Sequence, residues 1–309
     1  MSEPFVTDTR FETPALARHG RACGCAMHSR RLFTGALLAG GAGALAGPVW
    51  AQQGVQADVG KESTFTKLVP AEQVESAASQ QYAQMLREAQ SKRALAPADH
   101  PQVVRLRAIS QRIIPFAIPW NKRAPLWRWE VNLIGSKEIN AFCMPGGKIA
   151  FYYGILQNLQ LSDDEVGTIM GHEIAHALRE HARERMGKTT ATRVGAGLLS
   201  ALLGLGAVGD QLLNMGGQLL TLKFSREDET EADIVGMDLA ARSGYDPRAG
   251  VSLWQKMIEA NKSAPPQFLS THPSGPTRIR DIEAKLPKVM PLYEKAAKPD
   301  RQYGPPPKA

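Results

Sequence analysis

His172-Glu173-Ile174-Ala175-His176 is the pentad in this 309-residue chain whose residue types and spacing could do chemistry. Four residues make about one α-helical turn, so the two imidazoles project from one face and can share one ion. Glu173, next to the first imidazole, is placed to reach a water in an open coordination position rather than the metal. Two ring nitrogens, a carboxylate and an open position are the donor set of a catalytic zinc. The third ligand is expected on another helix, and Ser225 to Gly236 offers several acids. Glu229 and Asp233 lie four apart on one face there, while Glu231 points away from both. The spacing assigns Glu229 to the metal and Asp233 to an imidazole N–H, fixing its tautomer. Glu229→Ala is then expected to lose zinc and Glu231→Ala to keep it. His181, five residues beyond His176, falls off the ligand face and reads as a surface residue.

The elements that must position these groups follow from pattern and punctuation. Ser162-Asp163-Asp164-Glu165 is a capping box that starts the pentad's helix, expected to run to about Met186. Before it, Trp127–Ile134, Ile139–Met144 and Lys148–Tyr153 read as short strands, the last two separated by Pro145-Gly146-Gly147. Upstream lie helical patterns at Ala71–Leu95 (Val74, Ala78, Tyr82, Met85, Leu86) and Pro101–Ile114 (Val104, Ile109, Ile113). Downstream, a helix is expected at Arg226–Arg242, stopped at Gly244. Asp246-Pro247 opens another to about Lys262. A loop, Pro265–Gly275, leads to a last helix at Pro276–Leu286. The division expected is an export signal (1–51), a linker and helix (52–96), a metallopeptidase domain (97–290) and a disordered tail (291–309).

The pentad, with Asn140-Ala141-Phe142 and Pro145-Gly146-Gly147 before it, resembles a family. Glu229-x-x-Ala232-Asp233-x-x-Gly236, Gly244-Tyr245-Asp246-Pro247 and Ser270-Thr271-His272-Pro273 with Arg278 extend the resemblance over most of 97–285. The pattern is similar to metallopeptidases of the HtpX and CAAX-prenyl-protease type, gluzincins, especially their soluble periplasmic members. The resemblance implies an α+β, mainly helical zincin-like domain with a small antiparallel sheet flanking the active-site helix. It implies one zinc per chain, with Glu229 as third ligand, in agreement with the spacing. It also implies that His272 approaches the zinc and occludes its open site, and that Arg278 lies near the same cleft. Glu173 is then the general base, with His272 or Arg278 stabilising the oxyanion. The strand around Ile139–Met144 is expected to bind substrate as an added strand.

Composition limits the remaining classes. Hydrophobic residues at 43% and charged residues at 22% are ordinary for a folded chain, and three cysteines exclude a disulfide scaffold. A net charge of +7 without a dense Lys/Arg run gives no argument for nucleic acid. Ser29-Arg30-Arg31-Leu32-Phe33, an apolar stretch and small residues up to Ala51 resemble a twin-arginine export signal. Cleavage there would leave only Cys143, which reads as a small buried apolar residue. Gly204-x-Gly206-x-x-Gly209 matches a dinucleotide fingerprint but lacks the βαβ unit that would make it one. The run Val194–Gly209 reads instead as an apolar hairpin near the cleft, a lid or a membrane-touching patch. The expectation is a periplasmic zinc endopeptidase acting on unfolded or misassembled envelope proteins, with peripheral membrane contact. The rival is a chaperone-like assembly factor whose zinc site is structural or latched.

Overall fold

In the computed structural model, residues 54–202, 219, 222–263, 266–273 and 277–308 are described. The segment read as an export signal, the Gly204–Gly209 glycine pattern and most of the second half of the Val194–Gly209 run lie outside them. The apolar periodicity upstream yields α1 (Ala71–Ser91) and α2 (Pro101–Ile113). On α2 the buried face is Val103, Leu106, Ile109 and Ile113, and Val104, expected inside, is 39% exposed. The i, i+3 row beginning at 103 faces the core, and Val104 lies one residue off it.

Three short strands follow, β1 (Glu130–Ile134), β2 (Ala141–Met144) and β3 (Lys148–Tyr152). β2 and β3 form an antiparallel hairpin in which Cys143 faces Ile149. Its turn needs glycine, because Gly146 and Gly147 sit at φ +83° and +76°, backbone angles that a side chain disfavours. β1 pairs with the other side of β3 in parallel, Val131 opposite Ile149. The small sheet is therefore mixed, in the order β1-β3-β2, antiparallel as expected between β2 and β3 and parallel between β1 and β3. The connection 135–140 carries the chain past β3 to its far side, and this leaves β2 as an edge. Tyr82 on α1 holds the sheet from behind, its hydroxyl donating to the Ile149 carbonyl at 2.5 Å.

Helices then dominate: α3 (Tyr153–Asn158), α4 (Asp163–Leu178), α5 (His181–Leu202) and α6 (Arg226–Arg242), with α7 (Ala249–Ser263), α8 (Gln267–Thr271) and α9 (Arg278–Lys295) after them. Ser162 and Ser225 open α4 and α6 by the same reciprocal cap. Each serine hydroxyl accepts from the backbone three residues on, at Glu165 (3.2 Å) and Asp228 (3.1 Å), and each of those carboxylates accepts from the serine N–H. α4 is buried along its length from Glu165 to Leu178, as a helix at the centre of a domain must be. It does not run on to Met186. Glu180 adopts φ +58°, which breaks the helix and lets α5 restart at His181 in a new direction. The first part of the Val194–Gly209 run continues α5 to Leu202 instead of turning as a hairpin. No described helix is long and apolar enough to cross a membrane.

The C-terminal segment departs from its expectation as a disordered tail. α9 continues through Pro287 and Pro291 to Lys295, and the chain beyond it returns to the start of α4. Asp163 accepts from the backbone N–H groups of Tyr303 (2.7 Å) and Gly304 (3.1 Å) and from Arg105 Nε (2.7 Å). Gln160 donates to the Pro306 carbonyl, and Pro306 itself is buried. Composition favoured disorder, but a fully buried arginine–aspartate pair with acceptor capacity to spare supplies the docking site.

Candidate metal centre

α4 presents His172 and His176 on one face, and α6 crosses that face at a contact only glycine permits. A Cβ on Gly171 would lie 2.7 Å from the Gly236 carbonyl oxygen, and one on Gly236 would lie 2.7 Å from the His172 nitrogen. The close approach brings Glu229, two turns earlier on α6, to the imidazoles. Glu229 Oε2 is 3.5 Å from His172 Nε2, Glu229 Oε1 is 3.4 Å from His176 Nε2, and the two Nε2 atoms are 3.1 Å apart. His272 joins them from the end of α8, its Nδ1 3.0 Å from Glu229 Oε1 and 3.4 Å from His172 Nε2. One donor atom from each of the four residues lies within 4.8 Å of all the others, and all four side chains are buried.

This spacing fits a metal. Tetrahedral coordination at zinc–nitrogen distances places neighbouring ligand atoms about 3.4 Å apart, and the contacts above run from 3.0 to 3.5 Å. The hydrogen-bond pattern behind the rings supports the same conclusion. His172 Nδ1 is 3.0 Å from Asp233 Oδ1, close enough to pair although its N–H lies off the ideal line. A carboxylate there favours the proton on Nδ1 and leaves Nε2 bare. Bare nitrogens facing each other and a carboxylate, away from water, are stabilised by a cation between them. A donor set of three imidazoles and one carboxylate is suited to zinc.

The charges around the cluster have identifiable causes. Burial alone would raise the Glu229 carboxyl, but His272 and His176 hold it well below the usual range. Burial pushes His176 well below the ordinary imidazole value, keeping it neutral as a metal ligand must be. Burial raises Glu173, with nearby His272 and His172 opposing. Glu173 Oε1 has no hydrogen-bond partner and sits 3.6 Å from His272 Nε2. It opens on a small recess lined by Asn140, Cys143, His176, Phe224 and His272, beside edge strand β2. Phe224 stacks on His176 at 4.0 Å and Phe268 on His272 at 4.4 Å, fixing the ring planes.

Arg278 lies elsewhere than the oxyanion role requires. Its Nε and Nη2 each donate to one oxygen of Asp233 at 2.7 Å, its Nη1 donates to Glu229 Oε2 at 2.8 Å, and its guanidinium lies 3.5 Å over Trp254. The guanidinium is committed to two carboxylates and lines a different recess, with Arg226 and Lys285. It holds the carboxylates in place; it does not face the Glu173 recess.

His181 is the residue the sequence misplaced. It is 1% exposed, with Nδ1 2.9 Å from His176 Nδ1 and Nε2 2.9 Å from Glu231 Oε2. On a continuous helix, five residues past His176 is the wrong face. The break at Glu180 re-aims it, and no glycine or proline in the sequence marks that break.

The profile of Peptidase family M48 matches residues 97–286. Among related proteins, the mitochondrial metalloendopeptidase OMA1 of Schizosaccharomyces pombe is 35% identical over 197 residues, 63% of this chain and 56% of that protein. The metalloprotease LoiP of Escherichia coli K12 is 28% identical over 206 residues, 66% of this chain and 78% of that protein. The beta-barrel assembly-enhancing protease of the same organism is 29% identical over 171 residues, 52% of this chain and 35% of that protein. The matches to the OMA1 proteins of fission yeast, Arabidopsis thaliana and Saccharomyces cerevisiae span 56%, 30% and 62% of those relatives, so the chain covers about half their length.

Proposed function

The chain belongs to peptidase family M48, and from that premise we propose that it is a zinc-dependent endopeptidase hydrolysing bonds within protein substrates. His172, His176 and Glu229 hold the ion in this reading, and Asp233 orients His172. The observation that carries it is the convergence of four buried donors within 4.8 Å of one another beside an unpartnered Glu173 oxygen. A zinc ion at such a site supplies Lewis acidity, making an attacking water more acidic and polarising a scissile carbonyl.

The chain's own groups do the rest. Glu173 takes the proton of the attacking water on its free Oε1 and delivers it to the leaving amine. Edge strand β2 pairs on one side only, with β3, and lines the recess, so an extended peptide is read there chiefly through its main chain. His272, between Glu229 and Glu173, occupies the fourth donor position and must withdraw for a substrate carbonyl to enter. It is then free to stabilise the developing oxyanion. Arg278 acts through Glu229 and Asp233.

The substrates we propose are unfolded or misassembled envelope proteins, for quality control or maturation, reached by export through the twin-arginine-like segment and with a peripheral membrane contact. The names of the two Escherichia coli relatives agree with a protease role in bacteria, while the OMA1 names show the same peptidase domain in mitochondrial proteins. His272 within the donor set also favours a second reading, a chaperone-like assembly factor with its metal latched. Digestion of casein or an unfolded outer-membrane protein separates the two. Proteolysis that needs zinc, stops with chelator and is absent in Glu173→Gln supports the peptidase. Zinc-loaded protein that cuts only as His272→Ala supports the latched factor, and one that cuts nothing even then supports a structural site.

A further inference from the structure

The two ligand histidines of α4 are backed by carboxylates in unequal ways. His172 meets Asp233 directly, whereas His176 meets another imidazole, His181, and only through it a carboxylate, Glu231. Proton positions along the second path follow from what each group can do. The Glu231 carboxylate is ion-paired with the Arg179 guanidinium, so toward His181 it accepts. His181 must then donate through Nε2, which makes its Nδ1 an acceptor when the ring is neutral. A His176 nitrogen 2.9 Å away can satisfy that acceptor only by carrying a hydrogen. The proton of His176 is thereby fixed on Nδ1, and Nε2 is left bare toward the cluster. Arg179 completes the path, its Nη2 2.9 Å from Glu231 Oε1 and 2.7 Å from the Gly60 carbonyl oxygen.

We propose that His181 and Glu231 form a positioning relay that sets the tautomer of His176 and so makes the site competent for zinc. Neither residue touches the ion or the substrate. The relay explains why a second imidazole is fully buried beside the first, and why Glu231 faces away from the metal yet is not idle. It replaces the expectation that Glu231 is dispensable for zinc. Partners behind a ligand histidine typically contribute 10- to 100-fold in metal affinity, so an effect of that size is expected.

The inference rests on the zinc reading above, and its test separates the two. Zinc affinity of the full chain is measured by competition with a chromophoric chelator, with thermal melting of the metal-free protein as the control for folding. The variants are Glu231→Met, His181→Leu and His181→Gln, alone and combined, with Glu229→Ala as the loss-of-ligand reference. Glu231→Met, which removes the acceptor, and His181→Leu are expected to bind zinc about 10- to 100-fold more weakly. The double variant His181→Leu/Glu231→Met is expected to be no weaker than His181→Leu, because the path is already cut. His181→Gln is expected to recover most of the loss, since its amide can accept from His176 and donate to Glu231. A residue that merely filled space would not show that rescue or that coupling. Glu231→Met, which alters only a half-buried group, keeps the test decisive should His181→Leu fail to fold. Affinity within twofold of wild type in folded Glu231→Met overturns the relay while leaving the zinc site standing. A wild-type chain that takes up no more zinc than Glu229→Ala overturns the zinc site and the relay with it.

Discussion

Gly171 and Gly236 meet backbone to backbone where α4 crosses α6, with no room between them for a methyl group. That contact sets the distance from which Glu229 and Asp233 reach the imidazoles. Alanine at 236 gains roughly 1 kcal/mol of helix propensity, but its Cβ would stand 2.7 Å from a backbone nitrogen that cannot swing aside. Gly236→Ala is therefore expected to destabilise the fold by about 1–3 kcal/mol and to weaken zinc binding as α6 is pushed outward. Chemical denaturation and zinc titration check this; a variant as stable as wild type with unchanged zinc affinity contradicts it.

Glu173 should separate binding from turnover. Glu173→Gln keeps the shape of the recess and removes the proton acceptor, so bound zinc is expected to stay at the wild-type level. Peptide hydrolysis should fall by at least about 10²- to 10⁴-fold, the usual contribution of a positioned general base. Zinc analysis beside a fluorogenic peptide assay reads both. Retained turnover would move the base elsewhere.

The C-terminal segment is predicted to stabilise the start of the metal helix. Truncation before Tyr303 removes two N–H donors from the buried Asp163, leaving Arg105 as its remaining side-chain partner. A loss of about 2 kcal/mol is expected, on the scale of hydrogen bonds to charged groups. Urea unfolding of the truncated and full chains measures it, and coincident curves would show that the docked tail contributes nothing.

A pH effect is predicted at Asp58, which joins the N-terminal segment to α9. Its hydrogen bond to Lys288, at 2.6 Å, lowers its pKa below the ordinary value, against a smaller effect of burial. A carboxyl depressed in the folded state stabilises it at pH values above the unfolded pKa of about 4, and that contribution disappears as pH falls through the lower folded value. Wild type should therefore melt above Asp58→Asn at pH 6, with the gap closing toward pH 3. A gap independent of pH would assign the effect to something other than this ionisation.

Local rules carried much of this organisation. The capping box at Ser162, the helix at Arg226–Arg242 and the hairpin at Pro145-Gly146-Gly147 appear where residue chemistry places them. The i, i+4 rows that select His172 with His176, and Glu229 with Asp233, bring those four side chains together. What escaped notice depends on tertiary context. His181 becomes part of the centre only because Glu180 takes a left-handed conformation without a glycine to announce it. Arg278, expected near the cleft, is drawn behind the ligands by two carboxylates that no local pattern links to it. The tail docks because Arg105 and Asp163 pair 58 residues apart, beyond any periodicity.

The most direct measurement is X-ray diffraction from zinc-loaded crystals at energies on either side of the zinc edge. One anomalous peak per chain is expected, about 2.0–2.2 Å from the Nε2 atoms of His172 and His176 and from a Glu229 carboxylate oxygen. A peak bound by other side chains, or none between these three in zinc-saturated protein, would contradict that assignment.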